Sequence, residues 1–187
     1  MLSKGKVGPV AVLSGAKASE RQIKLLSSGR RFLHLATHGF FATGKVRSAL
    51  AGSRGAGGLD ARTGGFNPML LSGVVLAGAN AGADLGGATE DGVLTALEVA
   101  GLDLRGTELV TLSACETGLG ELVTGEGVMG LRRAFAEAGA RALLLSLWKI
   151  PDEETRMLME EFYRQVASDP DMDKSAALRQ AQLQMIS

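Results

Sequence analysis

At 187 residues, 45% of them hydrophobic and 21% charged, the chain suits one domain with a substantial core and is too apolar to be disordered. Its 20 basic and 20 acidic residues cancel, no apolar stretch is long enough to cross a membrane, and no apolar run of signal-peptide length follows Lys4 and Lys6. One cysteine excludes an internal disulfide, so a reducing, cytoplasmic setting is expected.

In chain order, Val10–Leu13 is a short apolar run, read as a strand. Ser19–Leu26 has helical spacing with Ile23 and Leu26 three apart, and Gly29 ends it. Arg31–Thr37 reads as a strand apolar on both faces, as in a buried parallel sheet. Residues 42–90 break the rhythm as a glycine-rich insertion, in which Met69–Leu76 can form a short strand or hairpin. Thr95 and Glu98 fit a capping box opening a short helix that reaches Gly101. Thr107–Ser113 is a strand. Val128, Leu131, Phe135 and Ala138 form one stripe of a helix closed by Gly139. Ala142–Trp148 is an apolar strand. Pro151 opens the next helix, with Asp152, Glu153 and Glu154 at the positive end of its dipole. Asp173–Ile186 is a last amphipathic helix. Strands alternating with helices predict an α/β fold whose sheet is mostly parallel, with helices on both faces.

The charge is unevenly spread. Residues 1–70 hold 11 Lys and Arg against two acids, and residues 71–187 hold 9 against 18. Either the two halves attract within one fold or the basic half faces an acidic partner. No basic run is interleaved with aromatics, so nucleic acid is not an expected partner.

Ligands of open α/β sheets bind beyond the carboxyl ends of the strands. After Arg31–Thr37 come His38 and Gly39. After Thr107–Ser113 come Ala114, Cys115, Glu116, Thr117 and Gly118. A histidine and the lone cysteine therefore fall on one edge, the ingredients of thiol nucleophilic catalysis. A free thiol, with a pKa of about 8.5, needs an imidazole or dipole beside it to ionise near neutrality. If the two strands are neighbours, the sheet brings the pair together. The plainer readings are a small buried cysteine and a hydrogen-bonded structural histidine. His34 shares a strand with His38 but lies too far along it for a two-histidine metal site, and is read as a core or supporting residue. The glycine-rich segment 117–127 precedes a helix as phosphate cradles do. It lacks a Gly-Lys-Ser/Thr ending, and Glu121 and Glu126 oppose a phosphate.

These residues resemble the CHAT domain, a family of caspase-like proteins often joined to tetratricopeptide repeats. The blocks are Leu33-His34-Leu35-Ala36-Thr37-His38-Gly39, Asp91 through Glu98, Leu112-Ser113-Ala114-Cys115-Glu116-Thr117-Gly118-Leu119-Gly120, Gly125-Glu126-Gly127, Gly130 through Phe135, Ala138-Gly139-Ala140, Ser146-Leu147-Trp148 and Asp152-Glu153. The resemblance implies a caspase-hemoglobinase fold and cysteine peptidase chemistry, with no cofactor. His38 and Cys115 would be the catalytic pair, and the backbone N–H groups of Gly39 and Cys115 the oxyanion hole, the chain turning sharply at Gly39. Family domains carry more chain ahead of the first block, so the resemblance implies that residues 1–187 form a single domain shortened at its front.

Peptidases of this fold that cleave after basic residues often place a carboxylate two positions before the nucleophile. Here that position is Ser113. Asp152 or Glu153 could supply the carboxylate instead, and cleavage after Arg or Lys is then expected; the plainer reading is that both only cap their helix. Glu116 and Trp148 complete the expected substrate pocket. Expected partners are a protein or peptide substrate and a tetratricopeptide or other regulatory region supplied separately. The alternative function is an inactive or incomplete CHAT fragment acting as a protein-interaction module; a third is a nucleotide-binding module at residues 118–127.

Overall fold

The computed structural model describes residues 10–41, 68–70, 72–79, 90–113, 126–146, 150–169 and 171–186. By its internal packing the chain divides into two units, residues 13–149 and residues 1–12 with 150–187.

In the larger unit, Ser19 caps the first helix, α1 (Glu20–Leu26), by accepting a hydrogen bond from the Gln22 N–H. Gly29 follows it with φ +72°, and the chain enters β1 (Phe32–Leu35). Strand β1 lies parallel to β5 (Leu109–Leu112), and β5 lies parallel to β6 (Leu143–Leu145), so β5 is central. Leu35 pairs with Leu112, and Leu112 with Leu145. Every residue of β5 is buried, as expected of a strand covered on both faces. Leu33, Leu35, Val110, Leu112, Leu143 and Leu145 share one face. They join a single hydrophobic cluster with Val99 of α2 (Ala96–Ala100) and Leu131, Ala134 and Phe135 of α3 (Glu126–Glu137). On the other face Leu109 and Thr111 are buried as well.

The expected parallel sheet is accompanied by an antiparallel one. The first strand expected to run from Arg31 to Thr37 ends at Leu35, and a second strand, β2 (His38–Phe41), begins at His38. Strand β2 pairs antiparallel with β3 (Ser72–Val75), and β3 with β4 (Val93–Thr95). Gly39 therefore lies within a strand, opposite Val74, where a sharp turn is expected from the sequence. The chain changes sheet at Ala36 and Thr37, which a continuous apolar pattern does not reveal. Strand β3 realises the strand expected within Met69–Leu76, after a 3₁₀ turn at Pro68–Leu70. The strand expected at Val10–Leu13 does not form: these residues have no regular structure, and Val10 and Val12 are exposed.

Two glycines hold the antiparallel sheet. A Cβ on Gly73 would meet the Leu94 carbonyl oxygen at 2.6 Å and the Phe40 ring at 2.8 Å. Gly92 has φ +77°, and a Cβ there would sit 2.2 Å from the Ala79 nitrogen. The Leu76 N–H donates to the Gly92 carbonyl at 2.7 Å, closing the turn side of β3 and β4.

In the smaller unit, α4 (Asp152–Ser168) follows Pro151, and its first turn holds three acids as the dipole favours. Helix α5 (Lys174–Met185) packs against it and is capped by Asp173, whose carboxylate accepts from the N–H groups of Ser175 and Ala176. Phe162 and Val166 of α4 and Ala177 and Ala181 of α5 are buried.

Candidate active site

The carboxyl ends of β1 and β5 lie level. One further rung is added where the Ser113 N–H donates to the Leu35 carbonyl at 3.2 Å. His34 pairs with Thr111, so His34, Thr111 and Ser113 share a sheet face. On that face His34 Nε2 lies 2.6 Å from Ser113 Oγ, a short hydrogen bond between neighbouring strands. His34 is exposed rather than a core residue. The atoms around its imidazole still strip away enough water to lower its pKa below the usual value, which favours the neutral ring.

Past Leu35 the chain leaves the parallel sheet. Thr37 Oγ1 donates to the Val75 carbonyl, and Val75 is the register partner of His38. The first residue of β2 is thus held beside β3, with its side chain exposed. Gly39 is buried next to it. Among the described strands β2 is an edge of its sheet, so alternate N–H groups point away from β3.

His38, Gly39 and Ser113 thus fall within four residues of the paired ends Leu35 and Leu112, where the chain passes from one sheet to the other. Cys115, Glu116 and Trp148 lie outside the described residues, as does the glycine-rich stretch 117–125. Asp152 and Glu153 occupy the first turn of α4 in the smaller unit. Glu153 is engaged by Arg156, at 2.6 Å from Nη2 and 3.1 Å from Nε, and this pairing lowers its pKa. Sequence reasoning missed the bonds of His34 and Thr37, because both depend on strand register.

A polar cluster joins α1 to the start of β4 and to α2. Glu20 is 1% exposed, and its carboxylate receives Lys24 Nζ at 2.5 Å and the Gly92 N–H at 3.2 Å. Lys24 also reaches Glu98 at 3.4 Å. Glu98 completes the expected capping box, accepting from the Thr95 N–H at 2.9 Å while its own N–H donates to Thr95 Oγ1 at 3.3 Å. Burial raises the Glu20 pKa against the opposing pull of Lys24. Glu98, though partly desolvated, is lowered by its bonds to Thr95 and by Lys24.

Among the described residues no three His, Cys, Asp or Glu side chains cluster as metal ligands, and no helix is long and apolar enough to cross a membrane. No solved structure matches the chain. Over 90 residues it is 37% identical to Tetratricopeptide repeat protein 28 of Mus musculus, covering 48% of this chain and 4% of that protein. The human protein of the same name is 37% identical over 89 residues, 48% of this chain and 3% of its own length. The matched stretch is thus a small fraction of those relatives. The CHAT domain matches residues 1–187, the full length of the chain. With its α/β architecture and helix-packed parallel sheet, the chain belongs to the CHAT domain family of the caspase-like cysteine peptidase superfamily.

Proposed function

We propose that this protein is a caspase-like cysteine endopeptidase, with Cys115 as nucleophile and His38 as its imidazole partner. The observation that supports this reading is the level ending of two neighbouring parallel strands. Leu35 and Leu112 are register partners, and His38 and Cys115 each follow three residues later in the chain. In the reaction, the Cys115 thiolate attacks the peptide carbonyl carbon and a C–S bond forms. The oxyanion is stabilised by the N–H groups of Gly39 and Cys115. Collapse breaks the C–N bond, and His38 gives a proton to the departing amine. Water then hydrolyses the thioester, releasing the acid and restoring the thiol. A peptide library tests the reading: wild type cleaves and Cys115→Ala does not. Cleavage by Cys115→Ala at the wild-type rate would sink it.

The finer expectation, cleavage after Arg or Lys, rests on chain order. Ser113 offers no carboxylate, and Asp152 and Glu153 follow β6, with Glu153 already paired to Arg156. Equal or faster turnover of an aspartyl P1 peptide overturns it. The relatives' name supports a tetratricopeptide region as the regulatory partner. The second reading is an interaction module without activity. Stable folding without cleavage of any library member would select that reading.

A further inference from the structure

We infer that His34 is a positioning residue for the Cys115–His38 pair, acting through its hydrogen bond to Ser113. The inference rests on the peptidase reading above and concerns what holds its two arms in place. Among the described residues, backbone pairing between β1 and β5 reaches as far as the Ser113–Leu35 rung, and β1 leaves the sheet at Ala36 to begin β2 at His38. Two parallel strands that separate at their ends lose the ladder that fixed their spacing. At that point a side-chain bond of 2.6 Å joins them, from His34 on the histidine-bearing arm to Ser113 on the cysteine-bearing arm. Ser113 is two residues before Cys115, and His34 is four before His38. A shift of about 1 Å between reacting groups can cost on the order of a hundredfold in rate. A bond across the parting point is therefore placed where it acts on geometry more than on stability, since His34 is exposed and hydrophobic packing carries the fold.

The alternative role for His34 is a strand residue with a fortuitous neighbour. An imidazole that merely filled space on a strand would not need a hydroxyl at bonding distance, and its loss would register in thermal stability alone. The lowered pKa of His34 agrees with a neutral ring that serves as a partner of a hydroxyl.

Alkylation by iodoacetamide tests the inference, because Cys115 is the one thiol in the chain and the reaction needs no substrate. The rate is read against pH, beside kcat and KM on a peptide that wild type cleaves. His34→Ala is expected to change the alkylation profile and lower kcat about ten- to a hundredfold, with KM within about twofold. His34→Gln, which keeps a hydrogen-bonding group, is expected to recover most of the loss. Ser113→Ala should reproduce it, and the double variant should be no worse than either single one. Should His34→Ala not fold, Ser113→Ala carries the test, since it breaks the same bond with a smaller change. A wild-type alkylation profile and kcat in His34→Ala overturns the inference; so does a glutamine variant as impaired as the alanine one. The two failures separate through His38→Ala. If it leaves alkylation unchanged while Cys115→Ala still cleaves, the peptidase reading falls and takes this inference with it. If His38→Ala shifts the profile and His34→Ala does not, only the positioning role falls.

Discussion

Gly92 meets two constraints at once, a left-handed backbone and a neighbour that leaves no room for a methyl group. Gly92→Ala is therefore expected to destabilise the protein by more than about 1 kcal/mol, read from the urea midpoint. Thr37 is a different case, since its hydroxyl joins β2 to the Val75 carbonyl. Thr37→Val should cost about 1 kcal/mol and, under the peptidase reading, lower cleavage more than that stability loss explains. At this scale the sequence was informative where residue types were scarce. Two histidines and one cysteine in 187 residues make His38 and Cys115 visible as candidates. The bond between His34 and Ser113 joins residues 79 positions apart, and a shift of one in register would put them on opposite faces. No pattern within either segment encodes that register.

Helices announce themselves by their ends, and α2 shows why. Five residues are too few for a periodicity argument, yet Thr95 and Glu98 meet a local rule that the structure obeys. Thr95→Ala is expected to cost about 1 kcal/mol by chemical denaturation. Strand β4, which overlaps that cap, went unread because three residues carry no alternation and its pairing is imposed by β3. Glu98 also links this element to pH. Its lowered pKa means that the native state holds the proton less tightly than the unfolded chain. The stability it adds is present above its ordinary value of 4.5 and is lost as pH falls through the lowered value. Glu20 has the opposite sign: its raised pKa favours the native state at lower pH, and that contribution fades as pH rises through the raised value. Thermal melts of wild type and Glu98→Gln should therefore differ most near neutrality and converge in acid below 4.5.

Across the larger unit, one hydrophobic cluster serves both sheets. Leu35, Val110 and Leu112 enter it from the parallel sheet and Val74 and Leu94 from the antiparallel one, with Phe135 of α3 among them. Phe135→Ala should cost about 3–5 kcal/mol, and fluorescence and circular dichroism should report its unfolding at one common midpoint. The α/β class was legible because apolar strands and capped helices alternate along the chain. The division into two sheets was not, since Phe32 to Phe41 reads as one strand and a turn until pairing partners are known. The break at Ala36 and Thr37 gives the site an unusual mechanical position. Under the peptidase reading, the base is mounted on the antiparallel sheet and the arm leading to the nucleophile on the parallel one. Anything that tilts one sheet against the other then retunes the distance between base and thiol without touching either. Strands β3 and β4, paired to β2 in register, therefore set where the base stands.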